Sequence, residues 1–499
     1  MDASTTDTID GLETDILIGG SGFGGLGLAT QLKRRGIDSF VMLERAGDVG
    51  GTWRDNHYPG AACDVPSHLY SYSFRLNPSW SRVFSPQPEI YDYLRRTAKD
   101  EGLLPHVVFH AEILDARWDS EIERWVVTTT AGTCRARIFV AATGHLADPK
   151  APQITGIDQF AGDLFHSAAW DHDASLNGKR IGVIGTGASG IQVIPQMAAI
   201  AESVTVFQRS APYVIPREER AYADYEREAF RKFPGLMEEV RRDLFWTNEG
   251  NYAARRMVPQ AIEKARAQSL DFLAAEIEDE ELRAKLTPDY DPGCKRILIS
   301  NTYYATMRRE NVHLVVDRIE RVNERGIVTE DGTEHALDAL ILCTGFEAAD
   351  LPISHRVRGV DGELLAERWS AGMSAYRAMT VSGFPNFFLI NGPNTGLGHN
   401  SAIYIIESQI DYIVGGIEYL LADGEMVLEV PQEIEGAYMD ELDRRSQGTV
   451  WVSGGCSSWY LDARSGRLTV VWPEFAHAFR AENASFDPSP FRSCVTLDA

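Results

Sequence analysis

Two short glycine clusters carry the most direct chemistry in this 499-residue chain: Gly20-x-Gly22-x-x-Gly25 and Gly185-x-Gly187-x-x-Gly190. At this spacing one glycine makes a tight turn, the next lets backbone approach a pyrophosphate, and the third lets a helix pack closely on a strand. The residue 19 positions past the last glycine then sorts the ligands. After Gly25 it is Glu44 (44 − 25 = 19), an acid suited to a ribose diol; after Gly190 it is Arg209 (209 − 190 = 19). An acid there repels a 2′-phosphate, whereas an arginine clamps one with charge-assisted hydrogen bonds. The first site is expected to hold a dinucleotide with an unphosphorylated ribose, and the second to prefer NADP over NAD. The chain has no Gly-x-Ser-x-Gly nucleophile elbow, no His-Glu-x-x-His and no other metal-spaced cluster.

Each cluster needs a strand before it and a helix after it. Ile16 to Ile18 reads as a short buried strand, residues 26–35 as a helix, and Phe40 to Leu43 as a second strand ending at Glu44. "KRIGVIGTGASGIQVIPQMAAIAESVTVFQRS" repeats the plan. Two later apolar segments, "ARIFVAATGHL" and "LDALILCTGFEA", end in Thr143-Gly144 and Thr344-Gly345, like the crossover points of two-dinucleotide flavoproteins. Two such units in one chain suggest a flavin, FAD, reduced by a nicotinamide nucleotide. The expected fold is α/β, with two Rossmann-like dinucleotide-binding domains. Residues 10–148 and 340–499 are expected to build the FAD domain and 149–339 the NADP domain. Within the latter, residues 218–290 read as a helical insertion, either roofing an active site or forming a solvated helical pair. Asp331-Gly332 signals a hairpin.

The net charge of −24 argues against nonspecific nucleic-acid or anionic-membrane partners. No run of about 18 apolar residues predicts a membrane span, and the acidic N-terminus lacks the apolar core of a secretory signal. Cys63, Cys134, Cys294, Cys343, Cys456 and Cys494 are scattered with no Cys-x-x-Cys pair, which fits reduced thiols in a cytoplasmic protein.

Between the glycine clusters lies "FAGDLFHSAAWD", residues 160–171, which is neither a good helix nor a good strand and reads as a loop. Its Phe160-x-Gly162-x-x-x-His166-x-x-x-Trp170-Asp171 matches the fingerprint of the type I Baeyer–Villiger monooxygenases, class B flavoproteins that use FAD and NADPH. The resemblance extends along nearly the whole chain. "GGTWRDNHYPGAACDVPSHLYSYSF", "FQRSAPYVIP", "GCKRILISNTYYATMRRENVHLV" and "GFPNFFLINGPNTGLGHNS" are similar to that family's FAD-loop, NADP, active-site-arginine and second FAD segments.

The resemblance implies that NADPH reduces FAD and that O2 then gives a flavin peroxide. This inserts one oxygen beside a ketone carbonyl to yield an ester or lactone. It implies Arg296 as the cation that stabilises negative charge and Asp64 as the acid that orients it. It places Phe23, Gly24, Thr52, Trp53, Asp55, Tyr70 and Ile113 with the FAD glycines and Glu44. Thr186, Ser189, Ser210 and Lys295 join Arg209 at NADP, and Trp459 lies on a C-terminal loop over NADP or substrate. Read from the residues alone, Asp64 fits a turn and Lys295-Arg296 fits two solvated charges at a strand start. Phe160 and Trp170 read as anchors of an interdomain linker and His166 as a structural polar residue, not a general base. The rival readings are a flavin monooxygenase acting on soft nitrogen or sulfur, a pyridine-nucleotide:disulfide reductase, and a noncatalytic NADP sensor. The Trp170-Asp171 ending opposes the first, the missing Cys-x-x-Cys the second, and the intact Asp64 and Arg296 the third.

Overall fold

The computed structural model describes residues 8–422 and 426–495. Its main strands are, along the chain, β1 (Leu12–Gly19), β2 (Phe40–Leu43), β3 (Val107–Val108), β4 (Ile113–Asp119), β5 (Arg124–Thr129), β6 (Gly132–Ala141), β7 (Asp163–His166), β8 (Arg180–Ile184), β9 (Ser203–Phe207), β10 (Val312–Val315), β11 (Ala339–Leu342), β12 (Val357–Arg358) and β13 (Phe387–Leu389).

The first sheet has the order β12-β4-β5-β6-β1-β2-β3. Strand β6 is shared along its length: its first half pairs antiparallel with β5, and its last three residues pair parallel with β13. β1 lies parallel between β2 and β6, so Ile16, Leu17 and Ile18 are buried on both faces. The helix Phe23–Arg34 leaves β1 through the first glycine cluster, ending in Lys33 and Arg34 where the helix dipole favours cations. A methyl on Gly27 would come 2.7 Å from the Ile410 side chain, so that glycine lets the long helix Ala402–Ala422 press against this one.

The second sheet is all parallel, in the order β10-β9-β8-β11-β7. The helix Ala188–Ile200 follows β8 through the second glycine cluster. The strand Ala339–Leu342, which a boundary at 339/340 would cut, lies wholly in this sheet, so the chain leaves it only beyond Leu342. The Asp331-Gly332 hairpin forms between Gly326–Thr329 and Glu334–Ala336, with Asp331 accepting from the Thr329 hydroxyl and the Thr333 amide.

Residues 160–171 are not simply a loop. Asp163–His166 is the edge strand β7, paired residue for residue with β11. Phe160 is buried against Phe207 and Leu340, and Trp170 is buried with its ring edge-on to Phe165. A methyl on Gly162 would lie 2.4 Å from the Asp338 carbonyl, so only glycine fits. The His166 ring accepts from the Ala168 amide, closing the short turn after the strand. The stretch therefore anchors the edge of the second sheet at both ends.

The helical insertion is packed, not solvated. Phe230, Met237 and Phe245 join the core of the first body, while Leu273, Ile277 and Leu286 join that of the second sheet. Buried Arg241 donates to the carbonyls of His68, Leu69 and Ser71 at 3.1, 2.9 and 2.7 Å.

Candidate active site

The three glycines of each cluster divide their work as the spacing predicts. Gly20 turns with φ +101, and a methyl there would meet the Ala142 carbonyl at 2.6 Å. A methyl on Gly25 would lie 2.0 Å from the Gly20 oxygen, so helix and strand touch there. Gly22 faces only the Gly51 backbone at 3.7 Å and caps the helix Phe23–Arg34, whose first turn carries no acid. Gly185 (φ +105), Gly190 and Gly187 repeat this arrangement, with nothing within 4 Å of a methyl on Gly187. Both helix N-termini thus present open backbone donors to a pyrophosphate, which is the fit a dinucleotide requires.

The first cleft is lined by Gly20, Gly22, Phe23, Gly24, Glu44, Thr52, Trp53, Asp55, Tyr70 and Ile113, gathered from segments far apart in the chain. Glu44 is buried at the end of β2. Its carboxylate accepts from the Ser21 amide and hydroxyl at 3.2 and 2.6 Å, and from the Ala46 amide at 2.9 Å. Arg54, which the sequence reading missed, pairs with Glu44 at 2.9 Å and with Asp55 at 2.7 Å. The Trp53 indole donates to the Tyr70 hydroxyl at 3.1 Å, fixing both rings along the cleft wall.

At the second cluster, exposed Arg209 carries no ion pair among the described residues. Lys295 donates to the Ser210 hydroxyl at 2.7 Å and lies over the Tyr290 ring. Burial and the neighbouring Arg209 charge together lower the Lys295 pKa. Two cations held side by side fit a 2′-phosphate dianion. Thr186 is bonded to the Ser210 carbonyl. Ser189 lies in the first turn of Ala188–Ile200, with Tyr58 close by and donating to Gln192.

Arg296 and Asp64, 232 residues apart, form a bidentate pair: Nε donates to Oδ2 at 2.6 Å and Nη2 to Oδ1 at 2.7 Å. Nη1 reaches the Leu397 carbonyl at 3.5 Å. The side chains are 35 % and 28 % exposed, and both charges lie within electrostatic reach of Tyr70 on the wall of the first cleft. The Asp64 charge raises the Arg296 pKa further above its ordinary value. Burial pushes the Asp64 carboxyl up, but Arg296 more than offsets this and holds it below the usual range. The pair is therefore fully ionised at neutral pH.

Three further groups escaped the sequence reading. Among the described residues buried Arg255 donates only to the Gly398 carbonyl, at 2.8 and 3.3 Å, and burial lowers its pKa to about 10. Buried Tyr460 lies within electrostatic reach of both arginines. Arg217 donates to the carbonyls of Cys63 and Phe84, bracing the backbone before Asp64. Trp459 sits 49 % exposed on its loop, its ring touching only Tyr460 among the described aromatic contacts.

The expectation of six reduced thiols needs correcting: Cys294 and Cys456 are joined by a disulfide. A separation of 162 residues leaves no local spacing that announces it. Cys63, Cys134 and Cys343 are free and buried, and the Cys494 side chain lies outside the described residues. Among the described residues no group of three or more acidic, His or Cys side chains could hold a metal, and no helix is long and apolar enough to cross a membrane.

The chain as a whole has counterparts among known proteins. The flavin-binding monooxygenase-like family model matches residues 15–245. A Baeyer–Villiger monooxygenase of Streptomyces coelicolor is 47 % identical over 95 % of this chain and 91 % of its own. A steroid monooxygenase solved with NADP superposes with a TM-score of 0.83 at 32 % identity, covering 95 % of this chain and 97 % of that one. A complex titled OTEMO, solved with FAD and NADP, gives 0.86 at 27 % identity, covering 96 % and 99 %. Identity of this order sustained from end to end, over two glycine cradles with the matching acid and arginine, places the chain among the Baeyer–Villiger monooxygenases as an enzyme that binds FAD and NADPH.

Proposed function

We propose that the protein oxidises a small-molecule ketone: ketone, O2, NADPH and a proton give an ester or lactone, water and NADP. The observation that carries this reading is the ionised, bidentate Arg296–Asp64 pair, partly exposed and near Tyr70 of the first cleft. FAD, once reduced by NADPH, supplies the two-electron activation of O2. The chain's own residues do the rest. Gly22 and Gly187 would open helix N-termini to the two pyrophosphates, Glu44 would take the adenosine ribose of FAD, and Trp53 and Tyr70 would wall the same cleft. Arg209 and Lys295 hold the 2′-phosphate. Asp64 occupies two donor groups of Arg296 and so aims the remaining Nη1 edge. Arg296 stabilises the negative charge that develops on oxygen, which its permanent cation does best away from bulk water. The helical insertion is tied to residues 68–71 through Arg241 and to the Gly398 carbonyl through Arg255. In this reading residues 10–148 and 343–499 form the FAD domain and 149–342, with strand β11, the NADP domain, in a protein that works in the cytoplasm.

The test is product analysis. Purified protein with NADPH, O2 and a panel of ketones is expected to yield esters or lactones. Arg296→Ala is expected to lose about 10²–10³-fold in kcat, the scale seen when one charge-stabilising donor is removed. An Arg296→Ala protein that oxygenated ketones at the normal rate, or a wild type that oxygenated only amines and thioethers, would overturn the reading.

A further inference from the structure

The Cys294–Cys456 bond joins the segment leading into Lys295 and Arg296 to the loop that follows the helix Val450–Ser453. Cys294 directly precedes Lys295 and Arg296 and is fully buried, whereas Cys456 is partly exposed on the loop that leads to Trp459. Just before that loop, one backbone bond makes the same connection, from the Asp291 amide to the Gly454 carbonyl at 2.9 Å. A methyl on Gly454 would lie 3.0 Å from the Cys294 Cβ, so the two backbones run in close contact there. Beyond Gly454, the hydrogen bonds of residues 455–459 among the described residues are local, from the Tyr460 and Leu461 amides back to Ser458. The next buried residue, Tyr460, already lies beside Arg296 and Arg255. Position in the fold therefore makes the disulfide the main restraint holding residues 455–459 against the segment that carries Lys295 and Arg296.

We propose that Cys294–Cys456 is a thiol–disulfide exchange site, opened by a dithiol reductant, that sets whether this loop stays closed over Lys295 and Arg296. A thiolate of the reductant attacks the accessible Cys456 sulfur, and Cys294 leaves as a thiolate and takes up a proton. The reductant's second thiol then attacks the mixed disulfide, releasing Cys456 as a thiolate that is protonated in turn. Two electrons and two protons pass to the protein, and the dithiol leaves as its own disulfide. Buried Cys294 is the poorer target, so attack has a direction. Opening frees the loop from the backbone that carries Lys295, and the hold on NADPH weakens. That kinetic consequence rests on the assignment of Lys295 and Arg209 to the 2′-phosphate.

The experiment treats the folded, flavin-loaded protein with dithiothreitol, then maps new thiols by alkylation and mass spectrometry. Hydrogen exchange of residues 453–460 and the KM for NADPH are measured before reduction, after it, and after reoxidation. The expected result is alkylation at Cys294 and Cys456 without unfolding, faster exchange confined to that loop, and a reversible several-fold rise in KM with kcat little changed. Cys456→Ser and Cys294→Ser should each match the reduced state and ignore dithiothreitol. Three results overturn the proposal: alkylation of both cysteines before any reductant, release of the thiols only on unfolding, or reduction that leaves exchange and KM as they were. Arg209→Ala, which does not touch the disulfide, separates the two readings. Its silence toward NADPH would undo the 2′-phosphate assignment, while the thiol map and the loop exchange would still decide the tether.

Discussion

Replacing Asp64 by asparagine removes one charge and almost no volume, so it isolates what the carboxylate does for Arg296. In the wild type both carboxylate oxygens accept from Arg296, at 2.6 and 2.7 Å. The amide keeps one acceptor but turns an NH2 toward the other guanidinium N–H, so one bond is lost and donor faces donor. Breaking a fully buried ion pair costs about 3–5 kcal/mol. Here roughly a third of each side chain is exposed to solvent, and water takes up part of the loss, so about 1–2 kcal/mol of stability is expected to go. The effect on turnover is larger. An arginine held at one point instead of two swings by about 1 Å, and misplacement on that scale costs about 10²-fold. The assay follows ester formation and NADPH consumption together in Asp64→Asn protein of normal flavin content. NADPH should still be consumed while ester yield per NADPH falls, because the perturbation leaves both dinucleotide cradles intact. The acid side should change as well. The folded-state pKa of Asp64 is depressed, so its contribution is present above the ordinary carboxylate range and lost as pH falls through the depressed value. Asp64→Asn should lack that part of the acid loss of stability. Asp64→Asn protein with wild-type kcat/KM and wild-type coupling would refute the positioning role, since among the described residues no other bonds two donor groups of Arg296.

Two further outcomes follow from the geometry. Glu249, on the helical insertion, is buried where it accepts from His399, Asn400 and the His477 amide. Burial pushes its carboxyl up, yet these bonds pull it down to about 2 from 4.5. The difference corresponds to about 3 kcal/mol of stability, present above pH 4.5 and lost as pH falls toward 2. Glu249→Gln should unfold more easily at neutral pH and show a flatter acid limb in a denaturation series; an unchanged acid limb would count against the clamp. Arg209→Ala removes charge-assisted bonds worth about 1.5–3 kcal/mol, so the KM for NADPH should rise by about tenfold or more while that for NADH stays put. An equal effect on both nucleotides would assign Arg209 to something other than the 2′-phosphate.

What could be read from the sequence follows how locally each constraint acts. A pyrophosphate dictates the spacing of backbone within six residues, so Gly20, Gly22 and Gly25 and their second copy were legible as a unit, as were the residues 19 positions on. The structure gives each glycine the part its position implied. Arg54 was not legible, because its partner Glu44 lies on another element and nothing in "GGTWRD" says which way the arginine turns. Strand β7 was missed for the same kind of reason. "DLFH" is too short and too mixed to form a strand alone, and its strand partner among the described residues, β11, comes 176 residues later (339 − 163 = 176). The insertion's amphipathic pattern marked helices but did not say what would cover them, so a solvated pair and a packed bridge read alike until Arg241 and Phe245 met the first body. Arg255, Tyr460 and the Cys294–Cys456 bond stand at the far end of this scale, each meeting the cleft through folding alone. The Arg296–Asp64 pair belongs with them by distance: read locally, one residue fitted a turn and the other a solvated charge. It was named only through resemblance along whole segments. Such a resemblance carries the non-local contacts of a fold implicitly, because the segments keep their pattern only while their three-dimensional neighbours do. A contact peculiar to this chain has no such pattern to announce it and has to be found in the folded structure.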